Sequence, residues 1–164
     1  MPVDLSTSDP PKRGPQDEDT VSQAPVPVDR PASEAKEGSG ALAGVSILVV
    51  DDDPPGARLV RLLLSGAGAH VRTAYSGEEA LDLLREFQAR LILVDLVLPG
   101  MNGFVLARCL KAAFPDVVAV AMSVVHGAET ERHALESGCV ALIHKPIDVN
   151  SFAQTVARHL GRAA

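Results

Sequence analysis

The sequence predicts an α/β domain with a doubly wound, five-stranded parallel sheet, preceded by a segment of different character. Short apolar runs alternate five times with stretches of helical periodicity, the order expected of a parallel sheet with crossover helices. The runs are continuously apolar, which is typical of strands buried on both faces. Aromatic residues are only 3% of the chain, so we expect a core of leucine, valine, isoleucine and alanine.

Turn and helix signals separate the strands. The strands are predicted at residues 45–50, 69–74, 91–94, 117–122 and 140–144. Pro55 suits the first turn of the first helix, and Gly66 and Gly68 end that helix. Ser76 and Glu79 form a capping box that opens the second helix.

The second half of the domain repeats this order. A turn at residues 99–103 leads into a third helix that runs to about Ala113. A weaker helix covers about residues 129–136 and is stopped by Gly138, and Asp148 caps the last helix. Each predicted strand is therefore followed by a helix.

Residues 1–43 differ from the domain predicted at 44–162. They hold seven of the twelve prolines, are rich in acidic residues and serine, and contain only isolated apolar side chains. Such a segment cannot bury enough apolar surface to offset its ordering entropy, so we predict a disordered tail. A passive leader is favoured over a tether or partner-binding segment, because no recognition motif stands out.

Composition and charge exclude several functions. The net charge of −6 argues against a surface that binds the phosphate backbone of nucleic acids. No apolar run approaches the roughly 18 residues that a membrane span needs, and no secretory signal is visible. Cys109 and Cys139 lack metal-binding spacing, so buried reduced thiols are expected. We therefore expect a cytoplasmic protein without direct nucleic-acid binding or membrane insertion.

Polar groups follow four of the five strands. These residues are Asp51, Asp52, Asp53, Asp95, Ser123 and Lys145. If the first, third and fourth strands are central, the groups converge in the crevice at the carboxyl ends of the strands, where such folds place their sites. Asp53 stands before Pro54 and is better interpreted as a turn or helix cap.

The other five residues together form a set that can accept a phosphoryl group. Clustered carboxylates repel one another unless a cation neutralises them, and carboxylate oxygens suit Mg²⁺. A carboxylate such as Asp95 can also attack phosphorus to form an acyl phosphate. The Lys145 ammonium and the Ser123 hydroxyl can each hold a phosphoryl oxygen.

Four segments of the chain carry a resemblance to a known family. Residues 47–54 (ILVVDDDP), 91–103 (LILVDLVLPGMNG), 120–123 (VAMS) and 144–146 (HKP) resemble the motifs of the response-regulator receiver family. The resemblance covers about residues 44–162. It implies the flavodoxin-like (βα)5 fold and a cis peptide bond in the lysine–proline motif.

The resemblance also implies roles at a magnesium site. Asp51 and Asp52 would form its acidic part, with Asp52 the direct ligand and Asp51 acting through water. Asp95 would be both phosphoacceptor and metal ligand, and the backbone carbonyl of Val97 would complete the protein ligands. Lys145 would contact the phosphoryl group.

The resemblance further implies a signalling role rather than an enzyme. Ser123 would move inward to bind the phosphoryl group, which a histidine kinase or histidine phosphotransfer protein would donate. Catalysis would be limited to self-phosphorylation and autodephosphorylation. A switching face at about residues 129–160 would contact a downstream protein that the sequence does not name, and no output module is recognised after Lys145.

Three positions depart from the family pattern. The aromatic residue often found three positions before the lysine is Leu142 here, which puts the usual aromatic read-out in doubt. Val97 and Val125 flank the path of the attacking water, and apolar side chains cannot orient it. We therefore hypothesise a comparatively long-lived phosphoryl state.

Three other functions compete with a single-domain regulator. A phosphorelay intermediate would pass the group to a histidine phosphotransfer protein, and a pseudo-receiver would dock partners without phosphorylation. A haloacid-dehalogenase-type phosphatase is set aside because Val97 stands where that class has a second aspartate. The five histidines are scattered, with no pair at metal-ligand spacing in a plausible helix.

Overall fold

The structure is a computed structural model that describes residues 40–161 of the chain. It contains five strands: β1 (Ser46–Val50), β2 (His70–Ala74), β3 (Leu91–Asp95), β4 (Val118–Ser123) and β5 (Ala141–His144). The strands alternate with five helices: α1 (Pro54–Gly66), α2 (Gly77–Glu86), α3 (Gly103–Ala113), α4 (Ala128–Glu136) and α5 (Phe152–Gly161).

The strands form one parallel sheet in the order β2-β1-β3-β4-β5. This confirms the predicted doubly wound fold, with the first, third and fourth strands at the centre. The chain runs from β1 outward to β2 on one side and then crosses to β3 on the other side of β1. The carboxyl ends of β1 and β3 are therefore neighbours at the point where the strand order reverses, which is where such folds place their sites.

Helices cover both faces of the sheet. Successive residues of a strand point to opposite faces, so each buried strand contributes side chains to both cores. On β3, Ile92 and Val94 join the core cluster that includes residues of α2, α3 and α4. Leu91 and Leu93 join the cluster that includes residues of α1 and α5. All five residues of β3 are buried, in agreement with its continuous apolar pattern.

The predicted caps hold the helix starts. The side chain of Asp53 accepts from the backbone N of Gly56 at 3.0 Å, so the cap interpretation of this residue is confirmed. The Ser76 hydroxyl accepts from Glu79 N at 3.1 Å, while Glu79 accepts from Tyr75 N at 2.7 Å. The two caps fix where α1 and α2 leave the ends of their strands.

The folded part of the chain begins earlier than the sequence pattern indicates. Residues 40–43 were predicted as the end of the tail, yet Leu42 is fully buried and its backbone N donates to the carbonyl of Ala67 at 3.1 Å. A single leucine among glycines and alanines has no periodicity, so the sequence gives no sign of this packing. The remainder of the predicted tail, residues 1–39, lies outside the described residues.

The cysteines are free thiols within the domain. Cys139 is buried, and burial raises the pKa of its thiol to about 11, so it stays protonated at neutral pH. Cys109 is partly exposed. Within residues 40–161, no helix has the length and apolar character to cross a membrane.

Candidate functional site

Three carboxylates meet at the carboxyl edge of the sheet. Asp51 follows β1 directly, Asp95 ends β3, and Asp52 is the next residue after Asp51. One oxygen from each lies within 4.8 Å of the others. Asp51 and Asp95 are buried, whereas Asp52 is exposed. We call these three residues the acidic pocket.

Lys145 joins the acidic pocket from the far side of β4. Its Nζ donates to Oδ2 of Asp51 at 2.7 Å and to Oδ2 of Asp95 at 2.5 Å. The lysine follows β5, and its backbone N donates to the Ser123 carbonyl at 2.8 Å. The peptide bond between Lys145 and Pro146 is cis, as the resemblance implies. The chain is thus held so that the ammonium reaches across the end of β4.

The charges in the pocket compensate one another in part. Burial acts to lower the pKa of Lys145, but its hydrogen bonds to Asp51 and Asp95, together with their negative charges, outweigh burial and raise the pKa above its usual value. The lysine is therefore an ammonium ion at neutral pH. It neutralises one of the three negative charges, and a divalent cation would compensate the remaining two.

Backbone groups fix the orientation of the two buried carboxylates. Oδ1 of Asp51 accepts from Asp53 N at 3.0 Å, and Oδ1 of Asp95 accepts from Val97 N at 2.8 Å. In both residues the other oxygen, Oδ2, is the one that contacts Lys145. Each buried carboxylate is therefore held at one oxygen by its own loop and at the other by the ammonium.

The loop after β3 passes close to the strand end. A Cβ atom at Gly103 would lie 2.2 Å from the carbonyl oxygen of Asp95 and 2.6 Å from the Cα of Leu96. Gly103 N also donates to the Leu96 carbonyl at 3.2 Å. The start of α3 therefore packs directly behind Asp95, and only glycine fits there without a shift of the backbone.

Ser123 ends β4 beside the pocket, but its hydroxyl faces its own loop. The side chain is buried, and Oγ accepts from Val125 N at 2.9 Å. Of the predicted site residues, the structure thus brings Asp51, Asp52, Asp95 and Lys145 into contact range. Among described residues, the Ser123 hydroxyl makes no hydrogen bond to the side chains of those four residues.

Two exposed valines lie on the loops that follow β3 and β4. Val97 is 59% exposed and Val125 is 50% exposed, on the loops after β3 and β4 respectively. A cavity of about 280 Å³ lies between these loops and α4, with the following lining: Leu96, Val97, Phe104, Ser123, Val125, Glu129, Thr130 and His133. Neither valine side chain carries a polar atom that could orient a water molecule.

Sequence reasoning missed one pair of residues near the site. The rings of His126 and His144 are stacked, with centroids 4.5 Å apart and planes at 24°. Spacing within a helix does not reveal the pair, because these two residues come from the loop after β4 and from the end of β5. The parallel pairing of Ser123 with His144 was the available signal, because it brings the ends of β4 and β5 together.

The acidic pocket fits a hard divalent cation. Its donors are carboxylate oxygens, one exposed and two buried, and they lie close enough to serve one ion. Oxygen ligands with open positions for water are the donor set that Mg²⁺ prefers.

Comparisons with known proteins give the family and close relatives. The response regulator receiver domain family matches residues 47–157. The polar-differentiation response regulator DivK of Brucella ovis is 35% identical over 122 residues, which are 72% of this chain and 98% of DivK. The transcriptional regulatory protein ZraR of Salmonella typhimurium is 34% identical over 71% of this chain, but this match spans only 26% of ZraR.

A solved structure agrees with the fold. A putative response regulator from Chloroflexus aurantiacus superimposes with a TM-score of 0.68 at 27% identity, over 73% of this chain and 99% of that chain. The family match begins at residue 47, after the predicted tail.

Proposed function

The chain belongs to the response-regulator receiver family, and we propose that it is a magnesium-dependent phosphoacceptor that carries the group on Asp95. The contact of Lys145 with both Asp51 and Asp95 is the observation that carries this proposal. An ammonium held on the acceptor oxygen itself is placed to bind an oxygen of an incoming phosphoryl group.

The reaction exchanges one bond to phosphorus for another. An oxygen of Asp95 forms a bond to phosphorus while the phosphorus–nitrogen bond of a phosphohistidine donor breaks. The released imidazole nitrogen takes up a proton from water. The hydrogen bond from Val97 N to Oδ1 of Asp95 leaves Oδ2 as the oxygen nearer the ammonium, and we assign the attack to Oδ2.

Asp51, Asp52 and Asp95 would hold the magnesium ion, with the Val97 carbonyl as the remaining protein ligand. When bound, the ion compensates negative charge on the phosphoryl oxygens. We assign Asp51 a role through water, with its Oδ1 held by Asp53 N. Asp52 is exposed and makes no hydrogen bond to a described residue, so it is available as a direct ligand.

Ser123 would complete the phosphorylated state by moving. Its hydroxyl would leave Val125 N and donate to a phosphoryl oxygen, which requires the loop after β4 to change shape. That rearrangement would transmit the state of Asp95 to α4, which begins at Ala128.

We further propose that the receiver surface itself carries the output to a partner protein, after a histidine kinase or histidine phosphotransfer protein has supplied the group. The near-complete match to DivK supports this, because the match spans 98% of that response regulator and 72% of this chain. The face around α4, β5 and α5 is the surface nearest to the rearranging loop. A cytoplasmic location follows from this role and is part of the proposal.

The test is mass spectrometry of the full chain after incubation with acetyl phosphate and Mg²⁺. We expect the wild type to gain one phosphoryl mass, and Asp95→Asn to gain none. Asp116→Asn is the matched control, because Asp116 is an exposed aspartate beyond α3. It should be modified like the wild type.

Removal of Mg²⁺ should abolish the modification of the wild type as well. Equal modification of Asp95→Asn and wild type would overturn the assignment. If neither acetyl phosphate nor a histidine phosphotransfer protein phosphorylates the wild type, the chain is a pseudo-receiver. Rapid reversible exchange with such a protein would identify a phosphorelay intermediate instead of an end-point regulator.

A further inference from the structure

A second group of metal-ligating side chains lies outside the acidic pocket. His126 is on the loop after β4, and His144 is the last residue of β5. Both side chains are exposed, and their rings lie face to face with centroids 4.5 Å apart. Neither ring has a hydrogen bond or an ion pair with a described residue, so the ring nitrogens are free to act as ligands.

The backbone around the pair holds the two rings together. Ser123 is in register with His144 across the two strands, and Lys145 N donates to the Ser123 carbonyl at 2.8 Å. The hydrogen bond of Val125 N to the Ser123 hydroxyl turns the following loop back toward β5. These contacts therefore hold the backbones of the two histidines close together.

We propose that His126 and His144 form a binding site for one borderline divalent cation, of which Zn²⁺ is the representative. Imidazole nitrogens select zinc, copper and nickel, whereas the carboxylates of the acidic pocket select magnesium. Two nitrogens that each lie about 2.0–2.1 Å from one zinc ion are about 3.3 Å apart in tetrahedral geometry. Because the nitrogen lone pairs lie in the ring planes, the stacked rings must rotate about their side-chain bonds until a nitrogen of each ring points at one ion.

The site supplies two protein ligands, and water fills the other positions. In the part of the chain described, the one group of three or more acidic, histidine or cysteine ligands is that of Asp51, Asp52 and Asp95. The histidine site therefore binds more weakly than a structural zinc site with four protein ligands. An ion held there would tie the loop that carries His126 to the end of β5.

The test is a titration of the full chain with Zn²⁺ in saturating Mg²⁺, which keeps the carboxylates occupied. Calorimetry gives the affinity and stoichiometry, and the ¹⁵N chemical shifts of the imidazole rings identify the ligands. We expect one zinc ion per chain, with the ring nitrogens of His126 and His144 shifting together. His126→Asn and His144→Asn should each lose roughly tenfold or more in affinity, because one ligand cannot chelate.

His70→Asn is the matched control. His70 is also exposed, but it lies at the start of β2, at the other edge of the sheet, so its loss should leave the affinity unchanged. The proposal is overturned if zinc binding survives in both single variants, or if the imidazole shifts occur at other histidines. It is also overturned if no zinc binds. Because no phosphoryl donor is present, these outcomes do not depend on whether Asp95 is phosphorylated.

Discussion

Two regions at the carboxyl edge of the sheet are built in different ways. In the acidic pocket, the buried carboxylates of Asp51 and Asp95 each have a backbone donor on one oxygen and Lys145 on the other. In the loop at residues 124–127, which we call the β4–α4 loop, all four residues are exposed. Two side-chain contacts hold this loop: the hydrogen bond from Val125 N to the Ser123 hydroxyl and the stack of His126 on His144.

The difference indicates that the acidic pocket carries out the phosphoryl chemistry and that the β4–α4 loop responds to it. The acidic pocket is rigidly defined by charges and hydrogen bonds, as a site must be if it is to align a phosphoryl group. The β4–α4 loop has few contacts to lose, which suits a segment that changes shape when the pocket is modified. Variants that act on one region and leave the other alone can test this division.

The largest expected effect comes from removing the ammonium group of Lys145, which contacts both buried carboxylates of the pocket. Lys145→Met should destabilise the protein by about 2 kcal/mol in the absence of divalent cations, because two buried carboxylates then lose their partner. The lysine side chain is 21% exposed, so solvent reduces the cost below that of a fully buried pair. Urea unfolding at neutral pH measures the change.

Lys111→Met provides the matched control, because Lys111 is exposed on α3 and has no ion pair with a described residue. Added Mg²⁺ should reduce the deficit of Lys145→Met, since the ion neutralises the same carboxylates. Equal destabilisation by the two variants would show that the pocket does not depend on this ammonium.

The position of the acidic pocket and of Lys145 was predictable because it follows from the topology of the sheet. Alternating strands and helices predict a parallel sheet, and parallel strands place Asp51, Asp95 and Lys145 at the same carboxyl edge whatever the details of the loops. The same reasoning located Ser123 at the end of β4. It could not give the hydrogen bond of its hydroxyl, because that depends on the shape of the following loop.

The histidine stack and the packing of Leu42 were not predictable for a related reason. His126 reaches His144 through the shape of the β4–α4 loop, in which Gly127 adopts a φ of 138° that L side chains rarely adopt. Leu42 is buried against the end of α1 by a backbone contact with Ala67. Neither feature leaves a periodic pattern, and periodicity is what sequence reasoning detects.

A smaller effect is expected at the mouth of the pocket, where the two regions meet. Val125→Glu should shorten the lifetime of phosphorylated protein by roughly tenfold, because a carboxylate there can orient the attacking water. Val125 is 50% exposed, so the substitution costs little stability. The decay of the phosphorylated mass after removal of the donor gives the rate.

Val124→Glu is the control for charge alone, since Val124 is the neighbouring residue and 61% exposed. It should leave the lifetime close to that of the wild type. A wild-type half-life already as short as that of Val125→Glu would contradict the proposed long-lived state, and with it the role of the apolar mouth.

The smallest expected effects distinguish the roles of two adjacent aspartates, Asp52 and Asp53. Asp53→Ala removes the cap of α1, where Oδ2 accepts from Gly56 N at 3.0 Å, and should cost about 1 kcal/mol of stability. Phosphorylation at saturating Mg²⁺ should persist, because the Asp53 backbone N still donates to Asp51. Asp52→Ala should do the reverse: it should leave the helix start intact and weaken Mg²⁺ binding. Thermal unfolding and Mg²⁺ titration of both variants measure the two quantities, and a loss of Mg²⁺ affinity in Asp53→Ala equal to that in Asp52→Ala would mean that the acidic run acts as one ligand group.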